Sequence, residues 1–148
     1  MDSSAWVKLY VGEGGTVWMN DFWACRPQCA CSELGLIEVI AAISRRQRQH
    51  PPRRGSLAQT VHEVRDQFTG IQIIGLTASI LARGADVAEQ RGLRAADALH
   101  LASALFVRDV VDPNVTLIAS DAELITAAAA AGLATLDPQT APPNSHQP

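Results

Sequence analysis

The hydrophobic positions recur every three or four residues along most of the chain, and short continuous apolar runs separate these stretches. The first pattern predicts helices with one buried face, and the second predicts buried strands. Helices are predicted over residues 4–11, 16–24, 32–48, 56–68, 77–91 and 93–107, with an alanine-rich helix after residue 121. Strands are predicted over residues 28–31, 71–76, 115–119 and 133–136.

The last of these units defines the fold class. An apolar run at 115–119 leads into Ser120-Asp121, which forms a good helix N-cap pair, and Gly132 ends the following helix before the strand at 133–136. A strand, a helix and a second strand in this order favour a parallel sheet covered by helices. We therefore predict an α/β protein, an α/β/α sandwich around a central parallel sheet.

Length and composition indicate one ordered domain. We predict that residues 1–136 form this domain, and that residues 137–148, with four prolines and no apolar periodicity, form a disordered tail. Pro51 and Pro52 stop the helix predicted at 32–48. No apolar stretch is long enough to span a bilayer and the N-terminus does not resemble a signal peptide, so a cytoplasmic protein without membrane contact is expected.

The cysteines and tryptophans are expected to serve packing. Cys25, Cys29 and Cys31 are odd in number and lack zinc-site spacing, so free, buried thiols are predicted. Trp18 and Phe22 lie four residues apart and should stack on one helix face. The three tryptophans could stack on bases, but core or dimer packing is the favoured interpretation.

The net charge of −3 argues against a generally basic nucleic-acid binder, but the basic residues are unevenly distributed. Five of the twelve fall within residues 45–54. We interpret Arg45, Arg46 and Arg48 as a surface that holds a phosphate backbone. The alternative is a solvated helix end whose cations favour the C-terminal helix dipole.

Four acidic residues occupy positions that solvated acids rarely take. Glu38 interrupts an apolar helix face, and burial of a lone carboxylate is costly unless a cation or hydrogen bonds compensate it. Asp97 repeats this situation in the helix at 93–107. Asp2 and Asp121 stand directly before helices.

Each acid also has a structural explanation. A salt bridge to a distant arginine would satisfy Glu38, and a local pair with Arg94 would satisfy Asp97. Asp2 and Asp121 could simply be N-caps. Taken together, however, four carboxylates at one pole of a parallel sheet need a cation, and Mg²⁺ or Mn²⁺ suits an all-oxygen site. Such an ion activates water for phosphodiester hydrolysis.

Four segments in order resemble the acidic motifs of PIN-domain proteins, and most closely the VapC-type toxins of bacterial toxin–antitoxin pairs. These segments are D-S-S-A-W-V-K-L-Y at 2–10, S-E-L-G-L-I-E-V-I-A-A-I at 32–43, G-L-R-A-A-D-A-L-H-L-A at 92–102 and L-I-A-S-D-A-E-L at 117–124. The resemblance runs to about residue 136, and the third segment is the most specific.

The resemblance implies a Mg²⁺- or Mn²⁺-dependent endoribonuclease that acts on tRNA or ribosomal RNA. It implies a cognate antitoxin protein as partner, and such toxins often form a homodimer. It assigns metal binding and catalysis to Asp2, Glu38, Asp97 and Asp121, and supporting roles to the hydroxyls of Ser4 and Ser120. His100, one turn from Asp97, is expected to orient that carboxylate, with proton transfer as the alternative role.

The chain departs from the resembling family at its start. In that family an apolar strand precedes the first acid, whereas here only Met1 precedes Asp2. The first strand is therefore expected to be truncated, through a start that lies upstream or an inactive copy. Two rival functions stay open: an inert PIN scaffold that only binds partners, and a metal-dependent phosphoesterase acting on DNA.

Overall fold

A computed structural model of the protein describes residues 1–49 and 56–142. Seven α-helices and four short strands occur within these ranges. The helices are α1 (Ser3–Trp6), α2 (Thr16–Ala24), α3 (Leu34–Gln49), α4 (Leu57–Thr69), α5 (Ala78–Arg91), α6 (Ala95–Val110) and α7 (Ala122–Ala130). The strands are β1 (Ala30–Ser32), β2 (Gln72–Ile74), β3 (Thr116–Ile118) and β4 (Ala134–Leu136). The α/β class is confirmed, and element bounds differ from prediction by a few residues at most ends.

The helices begin and end where local side chains favour it. Ser56 caps α4 by accepting a hydrogen bond from the Gln59 amide, and Thr77 caps α5 by accepting one from the Ile80 amide. Gly92 ends α5 with φ of 67°, a left-handed conformation that glycine adopts without steric cost. The predicted helix at 4–11 is instead the single turn α1 followed by a 3-10 turn, Val7–Leu9.

The strands form two parallel pairs rather than one continuous sheet. β1 pairs with β2, and β3 pairs with β4 on either side of α7, which confirms the predicted βαβ unit. Met1 and Asp2 lie between the two pairs. The Met1 amino group donates to the Ala30 carbonyl at 2.7 Å, and the Asp2 amide donates to the Ile118 carbonyl at 2.9 Å.

A cavity of about 290 Å³ lies between β1 and β3, with Met1 in its wall. Met1 and Asp2 stand between these two strands, and each forms one backbone hydrogen bond to one of them. These backbone hydrogen bonds hold the carboxyl ends of β1 and β3 at the same end of the fold. We call this end the acidic pole, because Asp2, Glu38, Asp97 and Asp121 lie there.

The core follows the predicted apolar faces. Leu101 and Leu124 are fully buried where α6 and α7 pack together. Trp6 is also fully buried, with its ring 5.1 Å from Trp23 and 4.7 Å from Phe68. Trp18 and Phe22 stack as predicted, with ring centroids 5.2 Å apart and an interplanar angle of 15°.

The thiols are free but unevenly buried. Cys31 is buried and Cys29 half-buried, whereas Cys25 is exposed, so the prediction of burial is wrong for Cys25. Burial raises the pKa of the Cys31 thiol to about 11. In the loop that connects α2 to β1, Cys25 faces solvent because no element of the described chain packs over it.

The predicted tail begins inside the described part. The Asp137 carboxylate accepts hydrogen bonds from the Ser120 hydroxyl and the Gln139 amide, both at 2.9 Å, and Ala141 packs beside Trp18. Residues 143–148 lie outside the described residues, so the boundary at 136 stays a prediction. Among the described helices, none is both long and apolar enough to cross a bilayer.

Candidate metal centre

Asp2 is held at the pole by three contacts. It caps α1, its carboxylate Oδ2 accepting hydrogen bonds from the Ser4 amide at 3.0 Å and the Ser4 hydroxyl at 2.5 Å. Its own amide is bonded to the Ile118 carbonyl at the end of β3. The side chain is only 4% exposed. The N-cap expected from the sequence is therefore present, and it leaves Oδ1 free to face the centre.

Glu38 reaches the same place from α3, the helix that follows β1. Gly35 makes this approach possible, because a Cβ at that position would collide with the Cys31 sulfur on β1. The helix therefore lies close against the strand, and Glu38 projects one turn further on. No arginine pairs with Glu38 among the described residues, so the salt bridge considered as its structural explanation is not found.

His100 joins these two acids. Its Nε2 lies 2.5 Å from Glu38 Oε2 and 3.3 Å from Asp2 Oδ1, and the side chain is 2% exposed. The structure thus pairs His100 with Asp2 and Glu38 rather than with Asp97, one turn away on α6. The sequence could not indicate this, because the contacts span 62 and 98 residues of chain.

Asp97 stands in the first turn of α6 and is partly buried. Burial raises the pKa of its carboxyl, the negative charges of Asp121, Asp2 and Glu38 raise it further, and the nearby His100 lowers it in part. Arg94 does not neutralise it: within residues 1–49 and 56–142, Asp97 forms no salt bridge. The local ion pair considered from the sequence is therefore not found.

Asp121 follows β3 and caps α7, its Oδ1 accepting a hydrogen bond from the Leu124 amide at 2.9 Å. The neighbouring Ser120 donates its hydroxyl to Asp137, and its amide donates to the Ser4 hydroxyl at 2.8 Å. The two serines that the sequence marked as supporting residues are therefore directly bonded. This bond ties the turn that carries Asp2 to the turn that carries Asp121.

The donor set suits a divalent cation. Asp2, Glu38 and His100 each offer a ligand atom within 4.8 Å of the others, the one such group among the described residues. Asp97 and Asp121 lie close enough to add their charge, as the raised pKa of Asp97 indicates. Carboxylates gathered in this way destabilise one another unless a cation compensates them. That all four acids act as metal ligands stays a prediction.

The arginines expected to hold phosphate lie on the same helix as Glu38. Arg45, Arg46 and Arg48 are exposed at the C-terminal end of α3. Arg45 is seven residues from Glu38, which places it on the same helix face about 10 Å further along. Arg53 and Arg54, from the same basic stretch, lie outside the described residues.

The fold and this acidic pole define the class of protein. The sequence profile of the PIN domain family matches residues 1–130, and the chain belongs to this family. Ribonuclease VapC45 of Mycobacterium tuberculosis (strain CDC 1551 / Oshkosh) is 35% identical over 141 residues, which cover 93% of this chain and 96% of that protein. Ribonuclease VapC49 of Mycobacterium tuberculosis (strain ATCC 25618 / H37Rv) matches with the same identity and coverage.

Proposed function

We propose that this protein is a metal-dependent endoribonuclease that acts as the toxin of a toxin–antitoxin pair. One observation carries the proposal: ligand atoms of Asp2, Glu38 and His100 lie within 4.8 Å of one another. Asp97 adds a further carboxyl, whose pKa is raised first by burial and then by the charges of the neighbouring acids. A protein keeps such a destabilising arrangement where a cation binds. The names of the two mycobacterial relatives, both ribonucleases, support RNA as the substrate.

In this proposal Asp2, Glu38, Asp97 and Asp121 hold one or two Mg²⁺ or Mn²⁺ ions. The bound ion supplies an activated water and neutralises charge on the scissile phosphate. Ser4 fixes the orientation of Asp2 through its two hydrogen bonds to Oδ2. Ser120 holds the turn of Asp121 against Ser4. Hydrolysis leaves 5′-phosphate and 3′-hydroxyl ends.

The substrate is expected to be a structured RNA of the tRNA or ribosomal RNA class. The net charge of −3 and the acids at the pole repel a polyanion, so a local cationic surface is needed. Arg45, Arg46 and Arg48 offer that surface on the helix that also carries Glu38. Their guanidinium groups suit phosphate oxygens, which they can bind with two hydrogen bonds each.

Cleavage assays test the proposal directly. Purified protein is incubated with total RNA and Mn²⁺, Mg²⁺ or EDTA, beside two variants. Asp97→Asn removes one charge from the centre, and the matched control Asp86→Asn removes one from an exposed position on α5. We expect metal-dependent cleavage by the wild type and by Asp86→Asn, with a loss of at least about 100-fold for Asp97→Asn.

The same assay separates the rival functions. Cleavage of single-stranded DNA in preference to RNA, with DNA added as a parallel substrate, would support a DNA phosphoesterase. Absence of cleavage of any substrate with either ion, while the protein stays folded, would support an inert scaffold. Equal activity of Asp97→Asn and Asp86→Asn would contradict the role assigned to the acidic pole.

We also propose a cognate antitoxin protein that holds the enzyme inactive. Expression of the toxin alone should arrest growth, and co-expression of a small gene adjacent to it should restore growth. Expression of Asp97→Asn alone should leave growth unaffected. Growth arrest that persists in this variant would mean that toxicity does not arise from the proposed centre.

A further inference from the structure

His100 places a nitrogen atom inside a centre otherwise made of oxygen. Its Nε2 lies 3.3 Å from Asp2 Oδ1 and 2.5 Å from Glu38 Oε2, and each of the three residues offers a ligand atom within 4.8 Å of the others. The His100 side chain is 2% exposed, so its ring is shielded from bulk solvent. The chemistry of this nitrogen bears on which ion the centre accepts.

The surrounding contacts direct ligand atoms towards His100. Asp2 Oδ2 is already occupied by the Ser4 amide and hydroxyl, so Oδ1 is the atom that Asp2 presents to the centre. The backbone of Asp2 is fixed to Ile118, and Glu38 is fixed on α3 by the close approach of Gly35 to Cys31. Three separate elements therefore converge on one point, two with an oxygen and one with a nitrogen.

We propose that His100 Nε2 is a metal ligand together with Asp2 and Glu38, and that the centre therefore selects Mn²⁺ over Mg²⁺. This inference rests on the proposed function, whose metal centre it refines. Mg²⁺ is a hard ion that keeps oxygen ligands and water, and Mn²⁺, although it also binds carboxylates, tolerates an imidazole nitrogen better than Mg²⁺ does. A buried imidazole in the first coordination sphere thus discriminates between the two ions.

The distances from His100 Nε2 to the Asp2 and Glu38 oxygens fit the coordination sphere of an octahedral ion after a small movement of Glu38. Neighbouring ligands of an octahedral ion lie about 3 Å apart, given metal–ligand distances of about 2.1 Å. The Asp2–His100 separation of 3.3 Å is already close to this value. The Glu38–His100 separation of 2.5 Å has to lengthen by about 0.5 Å, and Glu38, 26% exposed, is the partner with room to shift.

The competing interpretation makes His100 a positioning residue. In that case the ring donates a hydrogen bond to Glu38 and never contacts the ion, and all ligands are oxygen atoms or water. The two interpretations differ in a measurable quantity, the magnetic coupling between bound Mn²⁺ and a histidine nitrogen. A directly coordinated nitrogen couples strongly, whereas one held behind a carboxylate does not.

Pulsed electron paramagnetic resonance on the Mn²⁺-loaded full chain, without RNA, measures this coupling. We expect a ¹⁴N signal in the wild type and in His62→Gln, a matched control on a histidine with 76% side-chain exposure. We expect no ¹⁴N signal in His100→Gln. Labelling the wild type with ¹⁵N-histidine should replace the ¹⁴N signal by a ¹⁵N one, a test that does not depend on the folding of any variant.

Affinities provide a second readout. His100→Gln should weaken Mn²⁺ binding on the order of 10-fold or more while Mg²⁺ binding, measured by competition, changes much less. An equal loss for both ions, or a wild-type Mn²⁺ complex without nitrogen coupling, overturns the proposal for His100 and leaves the ribonuclease proposal intact. Failure of the wild type to bind either ion overturns both.

Discussion

The hydroxyl of Ser4 accepts a hydrogen bond from the backbone amide of Ser120 at 2.8 Å, across 116 residues of chain. The same hydroxyl donates to Asp2 Oδ2, so one side chain joins the two turns that carry Asp2 and Asp121. These turns lead into α1 and α7 on opposite ends of the sequence. The acidic pole therefore depends on a bond that neither turn can make alone.

Replacement of Ser4 tests this relationship. Ser4→Ala leaves the Ser120 amide without its partner and removes one of the two hydrogen bonds to Asp2 Oδ2, so we expect a loss of about 1–3 kcal/mol in the free energy of unfolding. Mn²⁺ binding should weaken as well. Ser3→Ala is the matched control, since the Ser3 hydroxyl forms no hydrogen bond within the described residues. Urea unfolding measures the stability of both variants, and equal stability of the two would contradict the role of Ser4.

Asp97→Asn should stabilise the metal-free protein at neutral pH. The pKa of Asp97 is raised in the folded state, so its charged form opposes folding. The neutral carboxyl therefore contributes to the free energy of unfolding below the unfolded pKa of about 3.9, and this contribution is lost as pH rises through the folded pKa. Asparagine removes the charge at every pH. Melting curves in EDTA should show a higher midpoint for the variant at pH 7 and convergence with wild type near pH 3.

Asp86→Asn serves as its control, because Asp86 is exposed on α5 and is not among the charges that raise the pKa of Asp97. Its midpoint should match that of the wild type at both pH values. A lower midpoint for Asp97→Asn at pH 7 would mean that the acids of the pole are compensated in the metal-free protein.

Gly35 allows α3 to approach β1, and an added methyl group should oppose this. Gly35→Ala creates a collision with the Cys31 sulfur, which we expect to lower the free energy of unfolding by about 1–3 kcal/mol. Because the collision involves one atom, Cys31→Ala in the same chain should recover part of the loss. A double-mutant cycle by urea unfolding measures the coupling. Gly12→Ala, with nothing within 4 Å of the new Cβ, should be nearly neutral.

Tyr10 provides an optical test of the packing around Trp6. Burial raises its pKa to about 12; its hydroxyl donates to Gln67 at 2.5 Å and accepts from Trp6 Nε1 at 3.3 Å. Tyr10 is the single tyrosine of the chain, so the change in absorbance at 295 nm with rising pH reports the ionisation of its phenol, above a constant tryptophan background. We expect a titration midpoint near 12 when folded and about 10 in denaturant.

The raised pKa of Tyr10 also makes the free energy of unfolding depend on pH. The raised pKa favours the neutral folded form, so this contribution is complete below about pH 10 and is lost as pH rises through about 12. Tyr10→Phe should therefore lose less stability than the wild type over this range. A folded-state midpoint near 10 would mean that the Tyr10 hydroxyl is solvated.

The arginines at the end of α3 should control how RNA binding depends on salt. Replacement of Arg45, Arg46 and Arg48 by glutamine removes up to three phosphate contacts. The slope of log K against log salt should then become shallower by about 2, at about 0.7 per contact. Replacement by lysine keeps the charge and should leave the slope nearly unchanged. Equal slopes for the glutamine variant and the wild type would remove these residues from the binding surface.

Local signals in the sequence were sufficient for much of the fold. The N-cap at Asp121, the end of the last helix at Gly132 and the βαβ unit all depend on neighbours within a few residues, and the structure contains each of them. The order of the acidic segments also indicated the PIN family, to which the chain belongs. These features depend on the spacing of residues that are close together in the chain, and this spacing can be read directly from the sequence.

The sequence by itself therefore determined the class of fold, the caps and the set of acids. Only the tertiary structure decided which groups meet: His100 with Glu38 and Asp2, the Ser4 hydroxyl with the Ser120 amide, and the division of the strands into two pairs. These contacts join residues between 62 and 116 positions apart. Their formation depends on how whole helices pack against strands. The periodicity of a single segment indicates which face is buried, but not which element packs against it.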